Sequence, residues 1–133
     1  MFARSGIVTA AMLAFCQAGW AEEVPVETAT LGASAITLHL HPFLTEEETA
    51  TLRLVAVNEQ ALSLFVPGNA GFAALAVSPK DGFIRDGALV VSAVALAGLP
   101  DQATASLKAV EACNAAKTGA ADCVTVLEIA PAP

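Results

Sequence analysis

The end of a helix and the start of a strand meet in the stretch CNAAKTGAADCVTVLEI, residues 113–129. Asp101 is a good N-cap for this helix, and Lys117 lies in its last turn, where a cation suits the helix dipole. The segment CVTVLEI predicts a closing strand. Because a helix and the strand that follows it must pack together, Cys113 and Cys123 are expected within the roughly 4.4–6.8 Å between Cα atoms that a disulfide needs. The stretch therefore predicts one disulfide between a helix and a strand.

The alternatives for this cysteine pair are a redox site and a metal site. A redox-active pair usually has Cys-x-x-Cys spacing, with the reactive thiol at a helix N-terminus. Cys113 lies near a helix C-terminus instead, where the dipole disfavours a thiolate, so the structural disulfide is the preferred interpretation. The predicted buried stripe of the helix contains Ala103, Leu107, Val110 and Cys113. Gly119 is expected to end the helix in a left-handed conformation.

Residues 1–21 have the pattern of a cleavable export signal. Arg4 supplies a positive charge, residues 6–15 form a short apolar core, and small residues precede the predicted cleavage after residue 21. The core is shorter than the roughly 20 residues that span a bilayer, so no stable membrane anchor is expected after cleavage. A lipid-carrying Cys16 is the alternative, although Phe15 is larger than the residue such signals place before the cysteine. We expect a periplasmic or secreted protein, in a compartment where disulfides form.

The composition excludes several classes of partner. The chain has 6 basic and 13 acidic residues and a formal charge of −7, and removal of Arg4 with the signal leaves −8. An acidic chain is not expected to bind nucleic acid or an anionic membrane surface, since both favour cationic proteins. The chain has no tyrosine, and its single tryptophan lies within residues 1–21. So few aromatic residues argue against a stacking surface for carbohydrates.

The remaining chain is predicted to form one domain. Residues 22–33 contain a proline and no periodicity, which indicates a flexible lead-in, and residues 34–133 form the domain. Residues 36–41 (ITLHLH) alternate strictly and predict a half-buried strand. Thr45 and Glu48 have capping-box spacing, which predicts a helix over residues 46–57. Asn58 is a plausible end of that helix.

Hairpins and strands are predicted between the two helices. Residues 61–66 and 72–78 resemble two strands of a hairpin, joined by a segment rich in glycine and proline. Two Asp-Gly turns, within residues 81–87, enclose a very short strand. Residues 88–97 are almost wholly apolar and form a buried strand, with a buried helix as the alternative. The predicted fold class is α+β, with a small antiparallel sheet, two packed helices and one disulfide.

His39 and His41 are the candidate metal ligands. At positions i and i+2 of one strand they share a face, with Cα atoms about 6.5–7 Å apart. Two imidazoles at this spacing can reach one copper or zinc ion if Glu128 or the glutamates of residues 46–48 supply a third ligand. The preferred interpretation is an exposed polar face of an edge strand.

Motifs of catalysis are not found in the sequence. The Glu46-Glu47-Glu48 run is explained by its position at the start of a helix. Asp81 and Asp86 lack the alternating oxygen ligands of a calcium loop. Nucleophile elbows, phosphate-binding loops and zinc-protease motifs do not occur. No cofactor and no catalytic residue is therefore predicted, and a small enzyme is the least favoured class of function.

Four segments together resemble a family of small exported bacterial domains of unknown function. They are Ala74-Leu75-Ala76-Val77-Ser78, Ser92-Ala93, the helix that ends near Cys113, and Asp122-Cys123-Val124-Thr125-Val126. The family pattern is a strand in which alanines alternate with apolar residues, a helix with a cysteine near its end, and a closing strand that begins with a cysteine. The resemblance covers roughly the last half of the predicted mature chain.

Two further segments are similar to a narrower set of exported proteins. They are HPFLTEE, residues 41–47, and DGFIRDG, residues 81–87. Some members of that set carry the name 5-aminolevulic acid synthase. This activity requires a large pyridoxal-phosphate fold with a Schiff-base lysine, whereas this chain is short and offers Lys80, Lys108 and Lys117. The resemblance therefore implies no catalytic residues for this chain.

The predicted function is that of a non-enzymatic binding or accessory module whose partner is an unknown protein or small ligand. The alternative is a periplasmic copper- or zinc-binding protein that uses His39 and His41. Activity as a 5-aminolevulinate synthase is physically implausible at this length.

Overall fold

A five-stranded antiparallel sheet forms the centre of the fold in residues 24–66 and 71–132, the part of the chain that the computed structural model describes. In chain order the elements are β1 (Val26–Leu31), β2 (Ser34–His39), α1 (Glu46–Val55), α2 (Glu59–Phe65), β3 (Phe72–Val77), β4 (Ile84–Arg85), β5 (Ala88–Leu89), β6 (Val94–Leu99), α3 (Gln102–Ala116) and β7 (Val124–Pro131). The sheet has the order β1-β2-β7-β3-β6, while β4 and β5 form a separate hairpin. The predicted α+β class is confirmed, with three helices in the described residues instead of two. The predicted export signal lies outside these residues.

The two faces of the sheet are covered by different helices because β3 alternates large and small side chains. Leu75 and Val77 lie in the apolar core with residues of α1 and α2. Ala74 and Ala76 point to the opposite face and pack against α3, where Ala105 is fully buried. Small side chains on both surfaces let the helix approach the sheet closely, and the alternation of the strand separates the two cores.

The predicted buried stripe of α3 is confirmed for Cys113 and wrong for Ala103 and Leu107, which are exposed. The buried residues of this helix are Ala105, Ala109 and Cys113, whereas Leu107 is 60% exposed. A leucine does not fit between a helix and a sheet face lined with alanines, so side-chain volume and not hydrophobicity selects the buried face. Val110 is only partly buried at the edge of this contact.

The end of α3 also differs from the prediction, because Gly119 does not adopt a left-handed conformation. The helix ends at Lys117, whose backbone is extended. The Lys117 ammonium donates to the carbonyl oxygens of Ala120 and Ala121, at 3.3 and 2.9 Å. The Lys117 side chain thus binds the carbonyl groups of the turn after α3, where a left-handed Gly119 was expected.

The predicted strand over residues 61–66 is wrong, since most of this segment lies in α2. Asn58 was expected to end the first helix, which begins at Glu46 as predicted but ends at Val55, two residues before the predicted end. The Asn58 side chain instead accepts a hydrogen bond from the Ala61 N–H at 2.9 Å and so begins a second helix. A short apolar run fits a strand or a helix equally well, and the N-cap decides between them.

The expected flexible lead-in over residues 22–33 is wrong for Val26–Leu31, which form the edge strand β1. It pairs with β2 along its whole length, from Val26 opposite His39 to Leu31 opposite Ser34. The pairing partner β2 confirms the predicted half-buried strand, although β2 starts and ends two residues earlier. The residues of β1 alternate between exposed and half-buried, and Ala29 and Leu31 pack against the core.

The predicted continuous strand over residues 88–97 is divided into β5 and β6. The chain turns at Val91 and Ser92 and resumes as β6 at Val94. Ser92 is buried and donates to the Asp81 carboxylate at 3.0 Å, which holds the chain in the turn. The second strand, β6, forms an edge of the sheet and is only partly buried, where a buried strand was expected.

The predicted disulfide between Cys113 and Cys123 is confirmed, with Cα atoms 6.0 Å apart. Both cysteines are buried, and the Asn114 side chain accepts from the Cys123 N–H at 2.8 Å. The bond therefore fixes the end of α3 to the start of β7. In the described part of the chain, no helix combines the length and apolar composition that crossing a membrane requires.

Candidate functional site

The histidines predicted as metal ligands lie on β2 and just after it. The His39 Nε2 is 3.2 Å from Glu128 Oε1, at an angle that does not satisfy a hydrogen bond. The His41 Nε2 contacts the Thr125 carbonyl oxygen at 3.1 Å, and its ring stacks on Phe43. Burial lowers the pKa of His41, as does the charge of His39, while the Thr125 bond opposes this shift. Of the predicted third ligands, Glu128 is placed beside His39.

A complete metal site is not assembled by these residues. Within residues 24–66 and 71–132, no group of three or more His, Cys, Asp or Glu side chains is positioned to hold a metal ion. Glu46 and Glu47 are exposed in the first turn of α1, and Glu48 is directed to a different set of partners. The structure therefore brings together His39 and Glu128 and separates them from the glutamates of α1.

Glu48 accepts three hydrogen bonds and belongs to an ion pair. The predicted capping box is present: the Thr45 hydroxyl accepts from the Glu48 N–H, and Glu48 Oε1 accepts from the Thr45 N–H. Its side chain is completely buried, and Oε2 accepts from the N–H groups of Phe83 and Ile84, at 2.6 and 3.0 Å. Arg85 Nη2 lies 3.3 Å from Oε1. Glu48 therefore connects α1 to the segment that leads into β4.

The environment of Glu48 favours its charged form. Burial, the largest single influence, raises the pKa of this carboxyl. The N–H groups of Thr45, Ile84 and Phe83 and the charge of Arg85 together lower it by more, so the pKa lies below its ordinary value. Gly82 makes this contact possible: its φ is +67°, and a Cβ at this position would lie 2.5 Å from Glu48 Oε2. A side chain at position 82 would therefore collide with the Glu48–Arg85 ion pair.

Asp81 makes a second connection at the other end of the same segment. Its Oδ2 accepts from the Ser92 hydroxyl and from the Thr118 N–H, both at 3.0 Å. The Thr118 hydroxyl donates to Oδ1. These Thr118 bonds are the main reason that the pKa of Asp81 is lowered. Asp81, which precedes β4, is therefore bonded both to Ser92, which follows β5, and to Thr118, which follows α3.

Residues 82–92, which we call the hairpin arm, are held by Glu48 and Asp81 and present apolar side chains to solvent. The turn of the arm has the positive φ angles that an Asp-Gly turn requires, 54° at Asp86 and 74° at Gly87. Leu89 is 65% exposed and Val91 is 91% exposed. Single exposed aliphatic residues are ordinary on protein surfaces. Here two of them are carried on an arm whose base is fixed by two hydrogen-bonded carboxylates.

An open depression of about 380 Å³, which we call the arm depression, lies where the arm meets the end of α3. Its lining combines two cations with apolar and hydroxyl side chains: Lys80, Asp81, Arg85, Val90, Val91, Ser92, Ala116 and Thr118. Among the described residues, Lys80 has no carboxylate within 4.0 Å of its ammonium. Its stem packs against Gly119, where an added Cβ would lie 2.7 Å from the Lys80 Cβ. The arm depression is therefore lined by a lysine without an ion-pair partner among the described residues, beside an apolar wall.

Sequence patterns indicated parts of this site but not their combination. The two Asp-Gly turns and the Thr45–Glu48 capping box were predicted correctly. The contact between Glu48 and Ile84 joins residues 36 positions apart, and no local pattern connects them. A lone Arg85 after an Asp-Gly turn gives no signal that its partner is a helix-capping glutamate.

Acid is expected to destabilise the fold through Glu48. Because the pKa of Glu48 is lowered in the folded protein, the unfolded chain takes up this proton first as the pH falls. The stabilisation from Glu48 is complete above the unfolded pKa of about 4.3 and is lost as the pH falls through the folded pKa. Urea unfolding between about pH 7 and pH 3 should show a larger loss for the native chain than for Glu48→Gln. Equal losses in both proteins would contradict this role of Glu48.

Comparison of the chain with protein-family models, with curated proteins and with solved structures finds no match. The resemblance to small exported bacterial domains therefore stays a prediction.

Proposed function

We propose that this protein is a non-catalytic binding module of an oxidising compartment, and that the hairpin arm and the arm depression form its binding surface. The observation that carries the proposal is the arm itself, which holds Leu89 and Val91 in solvent on a base fixed by Glu48 and Asp81. A surface that is ordered before binding loses less conformational entropy when a partner binds. Exposed aliphatic side chains on a rigid arm are therefore suited to recognition.

The polar chemistry of the site also favours binding over catalysis. A carboxylate that acts as a general base or nucleophile needs a free acceptor position that faces the substrate. The two carboxylates at the base of the arm, Glu48 and Asp81, accept hydrogen bonds from backbone and side-chain donors on both of their oxygens. These bonds give each carboxylate a structural role.

The disulfide between Cys113 and Cys123 supports a location outside the reducing cytoplasm, since such bonds persist in oxidising compartments. Together with the sequence pattern of residues 1–21, this leads us to propose a periplasmic or secreted protein.

Selection from a display library of random dodecapeptides tests the binding surface. We expect enriched peptides to lose about tenfold or more in affinity for Leu89→Ser and Val91→Ser, because each change removes an apolar contact. Leu107→Ser is the matched control, since Leu107 is a similarly exposed leucine on α3. All three variants should keep their free energy of unfolding within about 0.5 kcal/mol. Binding that is unaffected by both arm variants, or a library without any enrichment, would contradict the proposal.

Copper or zinc binding by His39 and His41 remains the alternative function. The observation that favours it is the 3.2 Å approach of His39 to Glu128, one of the predicted third ligands. Calorimetry with Cu(II) and with Zn(II) tests it. Heats that are equal for the native chain and for the variant with His39→Ala and His41→Ala would exclude it.

A further inference from the structure

We propose that the arm depression recognises an acidic, apolar segment of a partner protein, with a carboxylate bound by Lys80 and Arg85 and a neighbouring apolar side chain against Val91. This inference rests on the proposed function and names the chemistry of its ligand. The partner segment is extended, so that it reaches from the depression along the arm to Leu89.

The hydrogen-bonding state of the depression selects the charge of the ligand. Glu48 is buried and already paired with Arg85, and Asp81 already accepts three hydrogen bonds, so few acceptor positions there are left for a ligand ammonium. The Lys80 ammonium has no carboxylate within 4.0 Å among the described residues, and Arg85 contacts Glu48 through Nη2. The Arg85 side chain remains partly exposed, with donors left for a ligand. An acceptor that carries negative charge is therefore the complementary group.

The distribution of charge in the rest of the molecule makes this pair of cations unusual. The chain carries a formal charge of −7, and two of its other cations already have partners. Arg53 pairs with Glu27 at 2.9 Å, and the Lys117 ammonium is bound by the turn after α3. At the depression, Lys80 has no carboxylate partner within 4.0 Å among the described residues, whereas Arg85 already pairs with Glu48 and keeps further N–H donors. A ligand with a single carboxylate can accept from both side chains without the long-range repulsion that a highly charged one would meet.

The shape of the depression favours a peptide segment over a small molecule. Pockets for small ligands enclose about 70–90% of the ligand surface, which an open depression does not do. An extended segment gains its contact area by lying across the surface. Val90, Val91 and Ala116 supply an apolar wall beside the cations, and Leu89 extends the apolar surface along the arm. The alternation of side chains in an extended peptide suits such a row of contacts.

Fluorescence anisotropy with two labelled decapeptides tests this inference on the full exported chain. One probe alternates leucine with serine and has a single glutamate in place of a central serine, and the other has glutamine at that position. We expect the glutamate probe to bind about tenfold more tightly, with an affinity that falls as salt is added. Lys80→Gln should remove about tenfold of that affinity and leave binding of the glutamine probe unchanged. Lys108→Gln, a change of an exposed lysine on α3, is the control and should alter neither probe.

The outcomes separate the inference from the proposed function. Equal affinity for the two probes, or no binding of the glutamate probe at millimolar concentration, overturns the acidic ligand class. If the native chain binds the two probes equally and Val91→Ser abolishes the binding of both, the arm is still supported as the binding surface. Binding of both probes that resists Val91→Ser overturns the proposed function as well. Binding to anionic lipid vesicles without binding to the glutamate probe also overturns the inference.

Discussion

Replacement of Glu48 by alanine is expected to lower the free energy of unfolding by about 3 kcal/mol, because backbone N–H groups lose their acceptor and a completely buried side chain is removed. The change would leave Arg85 and the N–H groups of Phe83 and Ile84 without their acceptor. It would also create a cavity, because the Glu48 side chain is completely buried. Urea unfolding followed by circular dichroism measures this loss.

A second variant keeps the test informative if the alanine variant does not fold. Glu48→Gln has nearly the same volume, but its amide must direct NH₂ at a donor in either orientation, since Oε1 and Oε2 both accept hydrogen bonds. We expect a loss of about 1–3 kcal/mol, the cost of an unsatisfied buried polar group. Glu47→Gln, in the same turn but exposed, should cost less than about 1 kcal/mol. Equal effects at both positions would show that Glu48 acts only through the helix dipole.

Removal of the disulfide by Cys113→Ala together with Cys123→Ala is expected to cost about 2–3 kcal/mol. The bond closes a loop between residues 10 positions apart, and a cross-link of this length restricts the unfolded chain by that amount in the chain-entropy model. Both cysteines are buried, so the alanine variants also lose packing against the alanine-lined face of the sheet. Together with the loss for Glu48→Ala, this is the largest decrease in the free energy of unfolding that we expect from changing one feature of the fold.

Chemical unfolding with and without a reductant measures the contribution of the disulfide. The native chain should lose stability when a reductant is present, whereas the double alanine variant should be insensitive to it. This internal control separates the covalent bond from the packing of the two side chains. A native chain whose urea midpoint is unchanged by complete reduction would contradict the expected stabilisation.

Features set by adjacent residues were predictable from the sequence. The capping box at Thr45 and Glu48 begins α1 where expected, since both partners lie within one helical turn. The Asp86-Gly87 turn likewise contains in two residues the conformations that a tight hairpin needs. The disulfide could be predicted because the elements that carry Cys113 and Cys123 follow each other in the chain.

Features set by distant residues were not predictable. The buried face of α3 depends on Ala74 and Ala76 of another element, which admit Ala105 but leave Leu107 in solvent. Asn58 fits the end of one helix or the start of another, and only the packing of α2 in the core decides between them. The candidate site requires contact between Glu48 and Arg85, which lie far apart in the chain. The sequence therefore indicates these residues individually but not that they form an ion pair.

The hairpin arm is joined to both layers of the molecule, since Glu48 belongs to α1 on one face of the sheet and Thr118 follows α3 on the other. A segment held in this way belongs to the same cooperative unit as the two cores and does not open as an independent loop. A partner that binds the arm in its ordered form therefore shifts the folding equilibrium of the whole domain by mass action. Occupancy of the arm would protect remote parts of the chain from proteolysis, although the partner touches none of them.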